Sequence, residues 1–245
     1  MIRNEGLVGQ MDGKSIQTLV YEELKKNIIS MKLEPGQTMS TQEIATKLNV
    51  SRTPVREAFL RLQSEGLVEM IPQRETMVSR IDVRRVYQEK FIRECLELGV
   101  IDMFLERRSQ EHVRKMNELI STQKQCAGAR DFVGFLEADD RFHKVLFDVA
   151  GQKMAWETIA SRNGHYNRLR ILYVQTEDVT DSSIRQHTEI VELLKTKEQE
   201  RIRKAMASHI RRFDVDQAGL ITVYPDYFGT REQYDRERRI GVLEI

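Results

Sequence analysis

The chain has only five histidines in 245 residues, and three of them fall where they can act together. Asp139 and His143, in EADDRFHKVLF, stand four apart, so a helix carries both on one face. His187 in IRQHTEIVELL and His209 in AMASHIRRF lie in two later stretches of helical pattern. Three imidazoles and a carboxylate on helices that must pack together make a credible site for a divalent cation. Zinc, nickel and manganese all accept such donors. Taken singly, each histidine reads better as a core or surface residue than as a ligand; only the combination points to a metal. Asp140 is an alternative to Asp139, three rather than four residues from His143. The same donors can activate water, which keeps a metal-dependent enzyme open, although no HExxH or similar base motif accompanies them.

A second chemistry is written in residues 51–62, SRTPVREAFLRL. Val55, Ala58, Phe59 and Leu62 follow the spacing of one buried helix face, while Arg52 and Arg56 share a neighbouring face with Gln63 nearly in line. Pro54 is tolerated only in the first helical turn, so the helix starts near Ser51 to Thr53. Both arginines then stand at the helix N-terminus, where a helix inserted in a DNA major groove offers side chains to base edges. An ordinary amphipathic helix with solvated arginines explains this segment equally well, and the flanking elements have to decide.

Upstream, SIQTLVYEELKKNIISM (15–31) carries Leu19, Val20, Leu24, Ile28 and Met31 at helical spacing, closed by a turn at EPGQ. Ser40-Thr41-Gln42-Glu43 has capping-box spacing and opens a short helix with Ile44, Ala45 and Leu48 inward. Asn49-Val50 turns into the arginine-bearing helix, which completes a helix-turn-helix plan. After Gly66, LVEMIPQRETMVSRI reads as a hairpin with its tip at Pro72–Glu75. Three helices and a β-wing make residues 1–80 a winged helix-turn-helix domain, and solvated arginines become the poorer explanation.

From Ile81 the pattern is helical almost without relief, with helices expected near 82–107, 110–126, 130–150, 152–173, 181–196 and 198–219. The fold class is therefore mostly α: the winged domain plus an all-α antiparallel helical bundle over 81–222. With no long linker between Ser79 and Arg84, the two domains are expected to be coupled. Leu96, Val100, Met103 and Trp156 read as core, and residues 223–245 as a disordered or loosely held tail.

Composition agrees with a globular chain: 40% hydrophobic, 31% charged, and few glycines (13) and prolines (4). Net charge is +1, and residues 1–80 hold eleven Lys and Arg against ten Asp and Glu. DNA affinity must then come from locally placed cations rather than a global field. Neither a membrane-length apolar run nor the apolar stretch of a signal peptide is present, so a cytoplasmic protein without membrane attachment is expected. Cys95 and Cys126 form no CxxC pair and read as buried or idle thiols.

Over about residues 15–220, the chain resembles GntR-family transcriptional regulators of the FadR type with an FCD ligand-binding domain. The resemblance is carried by VSRTPVREAFLRLQSEGLVE and by the order and spacing of Asp139, His143, His187 and His209, which match the FCD metal motif. It implies a homodimer on a palindromic operator in double-stranded DNA, with Arg52, Thr53 and Arg56 as contacts. Arg74 at the wing tip is a further contact. Gln42 stands where several members carry a DNA-contacting arginine, and Glu75 where glycine is usual. An arginine fork on guanine O6 and N7 is worth about 1–3 kcal/mol of discrimination. Thr53 is placed for a phosphate or a thymine methyl.

The resemblance also aligns Arg93, in FIRECLELG, with an arginine that holds the carboxylate of a small effector; a pair with Glu97 on a wet face is the alternative. His165, Asn167 and Arg162 fall on a helix that often lines the effector pocket, while His112 and His165 match no ligand position. The function implied is a ligand-responsive regulator, a repressor, sensing a small carboxylate at a divalent-metal centre. A regulator sensing the metal itself is a further alternative.

Overall fold

The structure, a computed structural model, describes residues 14–70, 75–175, 179–196, 198–211 and 217–229. Helix α1 (Ile16–Ile29) starts where the Ser15 hydroxyl accepts the Thr18 N–H. Its apolar stripe, Val20, Leu24 and Ile28, is fully buried. Strand β1 (Thr38–Met39) follows, an element that the sequence did not suggest. Helix α2 (Thr41–Leu48) is capped by Ser40, whose hydroxyl accepts the Glu43 N–H at 3.0 Å. The capping box is only half formed, because the Glu43 carboxylate turns to Lys47 one turn on. Asn49 ends α2 with φ 54, a left-handed conformation that asparagine tolerates better than most residues. Helix α3 (Arg52–Ser64) then begins with Pro54 in its first turn, as required.

Strands β2 (Val68–Met70) and β3 (Thr76–Val78) pair antiparallel, Val68 opposite Val78, and β1 pairs with β3, giving the order β1-β3-β2. Val55, Phe59, Leu62, Ile44, Leu67 and Val78 join the α1 stripe in one core. Burying aliphatic and aromatic side chains of this size contributes about 1.5–3 kcal/mol each, and that is what holds so small a unit together.

The same compact unit, which runs to Arg85, takes in the segment from Ala218 onward. Here the expected loose tail is corrected in part. Residues 225–227 form a 3-10 turn, and Phe228 is buried beside Ile81 in a parallel bridge. The Ile81 N–H donates to the Tyr227 carbonyl at 2.8 Å. An aromatic side chain buried to this extent, with backbone bonds on either side, does not stay loose. The tail from residue 230 on, and the wing tip with Arg74, lie outside the described residues.

The second unit, Val86–Gln217, is helical. It is built from α4 (Val83–Arg107), α5 (Gln110–Gly128), α6 (Phe132–Ala150), α7 (Lys153–Arg162), α8 (Gly164–Tyr173), α9 (Val179–Leu193) and α10 (Gln199–Arg211). Helix α6 is fixed at both ends. Asp131 accepts the Gly134 N–H at 3.0 Å, and Gly151 closes the helix at φ 73, where a Cβ would be strained. Phe142, Leu146 and Phe147 of α6 pack with Val100, Phe104, Met116, Ile120, Ile190 and Met206 in one core. Trp156, Leu96 and Met103 lean on it, half-buried.

One expected helix is divided. The stretch 152–173 breaks at Asn163 (φ −108, ψ 24), where Asn and Gly, both weak helix formers, stand together. Of the stretch 198–219, α10 covers residues to Arg211 and α11 (Gln217–Val223) begins at Gln217, with 212–216 outside the described residues. Cys95 is exposed rather than buried, Cys126 is half-buried, and both are free thiols. Among the described residues, no helix is long and apolar enough to cross a membrane.

Candidate metal centre and recognition helix

Helix α6 holds Asp139 and His143 on its buried side, while α9 brings His187 and α10 brings His209. One ligand atom from each of the four lies within 4.8 Å of the others. His209 Nε2 is 3.1 Å from His143 Nε2 and 3.0 Å from His187 Nε2. Asp139 closes the ring, with Oδ1 3.5 Å from His187 Nε2 and Oδ2 3.8 Å from His143 Nε2. All four side chains are buried, and the Phe142 ring stacks on His187 with centroids 4.1 Å apart.

The outward nitrogen of every ring meets an acceptor. His143 Nδ1 is 2.5 Å from Glu97 Oε2, His187 Nδ1 is 2.8 Å from Gln123 Oε1, and His209 Nδ1 is 3.0 Å from Gln186 Oε1. The Gln123 orientation is set by its NH2, 3.5 Å from the Asp139 carboxylate, which only accepts. Burial pushes the Glu97 carboxyl up, but the His143 and Arg93 charges beside it outweigh that and hold it at about 2. Glu97 is therefore ionised and accepts from His143. With the rings neutral, as metal ligation requires, and the proton on the Nδ1 that faces each acceptor, the three Nε2 lone pairs point at one place beside a carboxylate. That arrangement repels itself, and a cation at the focus turns the repulsion into coordination. The residues fit a divalent ion.

Charge surrounds the cluster. Arg93, on α4, is buried rather than on a wet face: its Nε donates to Glu97 at 2.6 Å and Nη1 to Asp140 at 3.1 Å, with Nη2 3.6 Å from Asp139. Arg170, on α8, donates to Asp139 at 2.5 Å, Asp140 at 2.8 Å and Asn167 at 3.0 Å. Against a burial cost that pushes the Asp139 carboxyl up, Arg170, His143, His187 and Arg93 hold it far below the usual range. Tyr166 lies near both guanidiniums, and its hydroxyl is pushed by burial up to about 12.

The geometry thus brings together Asp139, His143, His187, His209 and Arg93, all five marked in the sequence, with Asp140 as a partner of the arginines. Sequence reasoning missed Gln123, Gln186 and Arg170, and weighed Glu97 only as a surface partner of Arg93. Gln123 had a signal: it falls three and seven residues after Ile120 and Met116, inside the apolar stripe of α5. His112 stays apart, capping α5 where its Nδ1 accepts the Ser109 N–H at 3.0 Å. His165 is buried, 3.1 Å from Arg168 Nη2, Asn167 reaches Arg170, and Arg162 is exposed.

In the first unit, Arg52, Thr53 and Arg56 are exposed at the start of α3. Arg52 Nε donates to Gln42 Oε1 at 2.5 Å, so the α2 residue steadies the α3 arginine. Arg61 is on another side, its guanidinium 3.6 Å from the centroid of the Tyr21 ring.

A winged helix-turn-helix in one unit and a helical bundle with a buried polar cluster in the other are the plan of a DNA-binding transcriptional regulator with a second, helical domain. Residues 16–78 match "Bacterial regulatory proteins, gntR family" and residues 91–212 match "FCD domain". A relative from Streptomyces ambofaciens, described as an uncharacterized HTH-type transcriptional regulator in an unstable DNA locus, is 30% identical over 224 residues, covering 91% of this chain and 94% of that protein. The HTH-type transcriptional repressor RspR of Escherichia coli (strain K12) is 28% identical over 192 residues, 78% of this chain and 84% of that one. Among solved structures, E. coli McbR/YncC shares the fold, with a TM-score of 0.68 at 22% identity over 87% of this chain and 99% of that one. The chain belongs to the GntR family of transcriptional regulators, with an FCD domain after its DNA-binding domain. These proteins are regulators and not enzymes, which removes the metalloenzyme reading.

Proposed function

We propose that the protein is a repressor that binds a palindromic operator as a homodimer, through α3 and the wing, and releases it when a small carboxylate reaches a metal centre. Arg52, Thr53 and Arg56 make the groove contacts, Gln42 and Arg74 support them, and Asp139, His143, His187 and His209 hold the ion. Zinc, nickel or manganese suits three imidazoles and one carboxylate. Repression is supported by the description of RspR, a relative at 28% identity.

The observation that carries the reading is the convergence of three Nε2 atoms and Asp139 beside two buried arginines. Arg93 and Arg170 face three carboxylates, Glu97, Asp139 and Asp140, so with the three imidazoles neutral, as ligation requires, the side chains sum to one negative charge. That charge repels an anion. A divalent cation reverses the sign, and the loaded site then attracts one carboxylate. Carboxylate binding should therefore require metal. Effector and operator are coupled to the extent that the effector prefers one conformation of the dimer.

The test is a thermal-shift screen of small carboxylates with and without divalent metal, followed by operator release with the compounds that bind. Stabilisation by a carboxylate only in the metal-loaded protein supports the reading. Operator affinity that tracks metal concentration with no response to any carboxylate would replace it with direct metal sensing.

A further inference from the structure

Three carboxylates serve the two buried guanidiniums, and they are not equivalent. Glu97 is fully buried, bonded to Arg93 at 2.6 Å, and also holds His143 Nδ1. Asp139 is 5% exposed and belongs to the four-residue cluster. Asp140 is 27% exposed, and its Oδ1 takes one bond from each arginine, 3.1 Å from Arg93 and 2.8 Å from Arg170. A single carboxylate oxygen bridging two arginines at the water-facing edge of the cluster is what a bound anionic ligand would look like.

We infer that Asp140 is a built-in competitor for the effector: its carboxylate holds the place between Arg93 and Arg170 that an incoming carboxylate takes, and Arg170 is the second arm of that subsite. The inference rests on the carboxylate-sensing reading above and adds a residue pair to it. Displacing Glu97 would release the His143 ring, and displacing Asp139 would remove a ligand. Displacing Asp140 costs neither. Because it is partly exposed, its charge can be rehydrated by turning the side chain to another rotamer, without backbone movement. Arg170 would not be left adrift, since Asp139 and the Asn167 side-chain oxygen still hold it. The exchange swaps one charge-assisted pair for another, so little net affinity comes from the arginines while Asp140 is present. The ligand that gains most is a carboxylate that sets one oxygen between the two guanidiniums, as Asp140 Oδ1 does, and leaves the other free to reach toward the cluster.

The experiment is calorimetric titration of acetate, lactate, succinate and citrate into the metal-loaded 245-residue chain, with metal content checked first. It compares wild type, Asp140→Asn, Asp140→Asn/Arg170→Gln and Glu137→Gln. The last neutralises an exposed carboxylate of the same helix. Asp140→Asn is expected to bind the best of the four about ten- to a hundredfold tighter, the size of one charge-assisted bond no longer sacrificed. The double variant should lose that gain, and Glu137→Gln should match wild type. If Asp140→Asn does not keep its metal, Asp140→Ser takes its place. Binding by wild type that neither Asp140 variant tightens overturns the inference and leaves the sensing reading standing. A gain that survives in the double variant, or that appears equally in Glu137→Gln, also overturns it. Failure of every carboxylate to bind both wild type and Asp140→Asn overturns the sensing reading and the inference with it.

Discussion

The Nε2 atoms of His143 and His209 face each other at 3.1 Å, although the Nδ1 atom behind each already meets an oxygen. Rings that give their proton to the oxygen behind them have none to share at Nε2, and His187 Nε2 joins the same focus, 3.0 Å from His209 Nε2. We expect about one divalent ion per chain in the purified or reconstituted protein. Free metal at a hundredfold its Kd should stabilise the fold by about 2.7 kcal/mol, which a chelator removes. His187→Ala and His209→Ala should lower both occupancy and thermal stability. Elemental analysis and thermal unfolding measure these, and a protein that takes up no metal even after reconstitution refutes the site.

The ring orientations predict a second effect. Gln123 accepts from His187 and donates toward Asp139, so Gln123→Leu leaves both ligands present but unsteered. Loss of an orienting partner typically costs about ten- to a hundredfold in metal affinity. Competition with a chromophoric chelator gives the number. Unchanged affinity would mean that Gln123 fills space only.

How much of this was legible in the sequence follows from which interactions are local. Asp139 and His143 are one helical turn apart, and the Pro54 and Ser51 constraints on α3 act within a few residues, so spacing put them on their faces and the family resemblance singled out the ligands. Gln123, Gln186 and Arg170 join the cluster only because α5, α9 and α8 meet there, and a polar residue in a stripe is ambiguous until its partner is known. The split at Asn163 had local warning in Asn-Gly. Phe228 had none, since its seat beside Ile81 lies more than a hundred residues away along the chain.

Phe228 therefore offers a direct test of the corrected tail. It is 2% exposed and anchors the segment that runs on from α11. Phe228→Ala should destabilise the first unit by about 3–5 kcal/mol, the range for a large aromatic lost from a core. Denaturant unfolding followed by a probe in that unit measures it. A loosely held arm would give no change.

On α3, Arg52→Ala and Arg56→Ala should each weaken operator binding by about 1–3 kcal/mol while leaving fold and metal content intact, because both side chains are exposed. Gln42 acts through its bond to Arg52 Nε, which leaves the Nη fork of the arginine for a base. Gln42→Ala should cost less than Arg52→Ala, and the double variant should be no weaker than Arg52→Ala alone. Additive losses in a gel-shift titration would instead make Gln42 an independent DNA contact.

Arg93 joins the two halves of the proposed mechanism. An arginine that served only the effector could be removed without touching the metal, but this one is bonded to Glu97, and Glu97 in turn holds the His143 ring. Arg93→Ala would strand two buried carboxylates, Glu97 and Asp139, with one cation fewer near them. The Glu97 carboxyl, held at about 2 by His143 and Arg93 against the cost of burial, should then move upward. As it becomes easier to protonate, it becomes a poorer acceptor for His143 Nδ1. We expect Arg93→Ala to lose metal affinity as well as carboxylate binding, and to be less stable than wild type. Arg93→Lys keeps the charge but not the planar fork that reaches Glu97 and Asp140 together, so it should recover most of the stability and only part of the carboxylate affinity. Metal competition and carboxylate titration on the same preparations separate the two effects. If Arg93→Ala binds metal and carboxylate as tightly as wild type, the buried pair with Glu97 is merely structural, and the effector is held elsewhere.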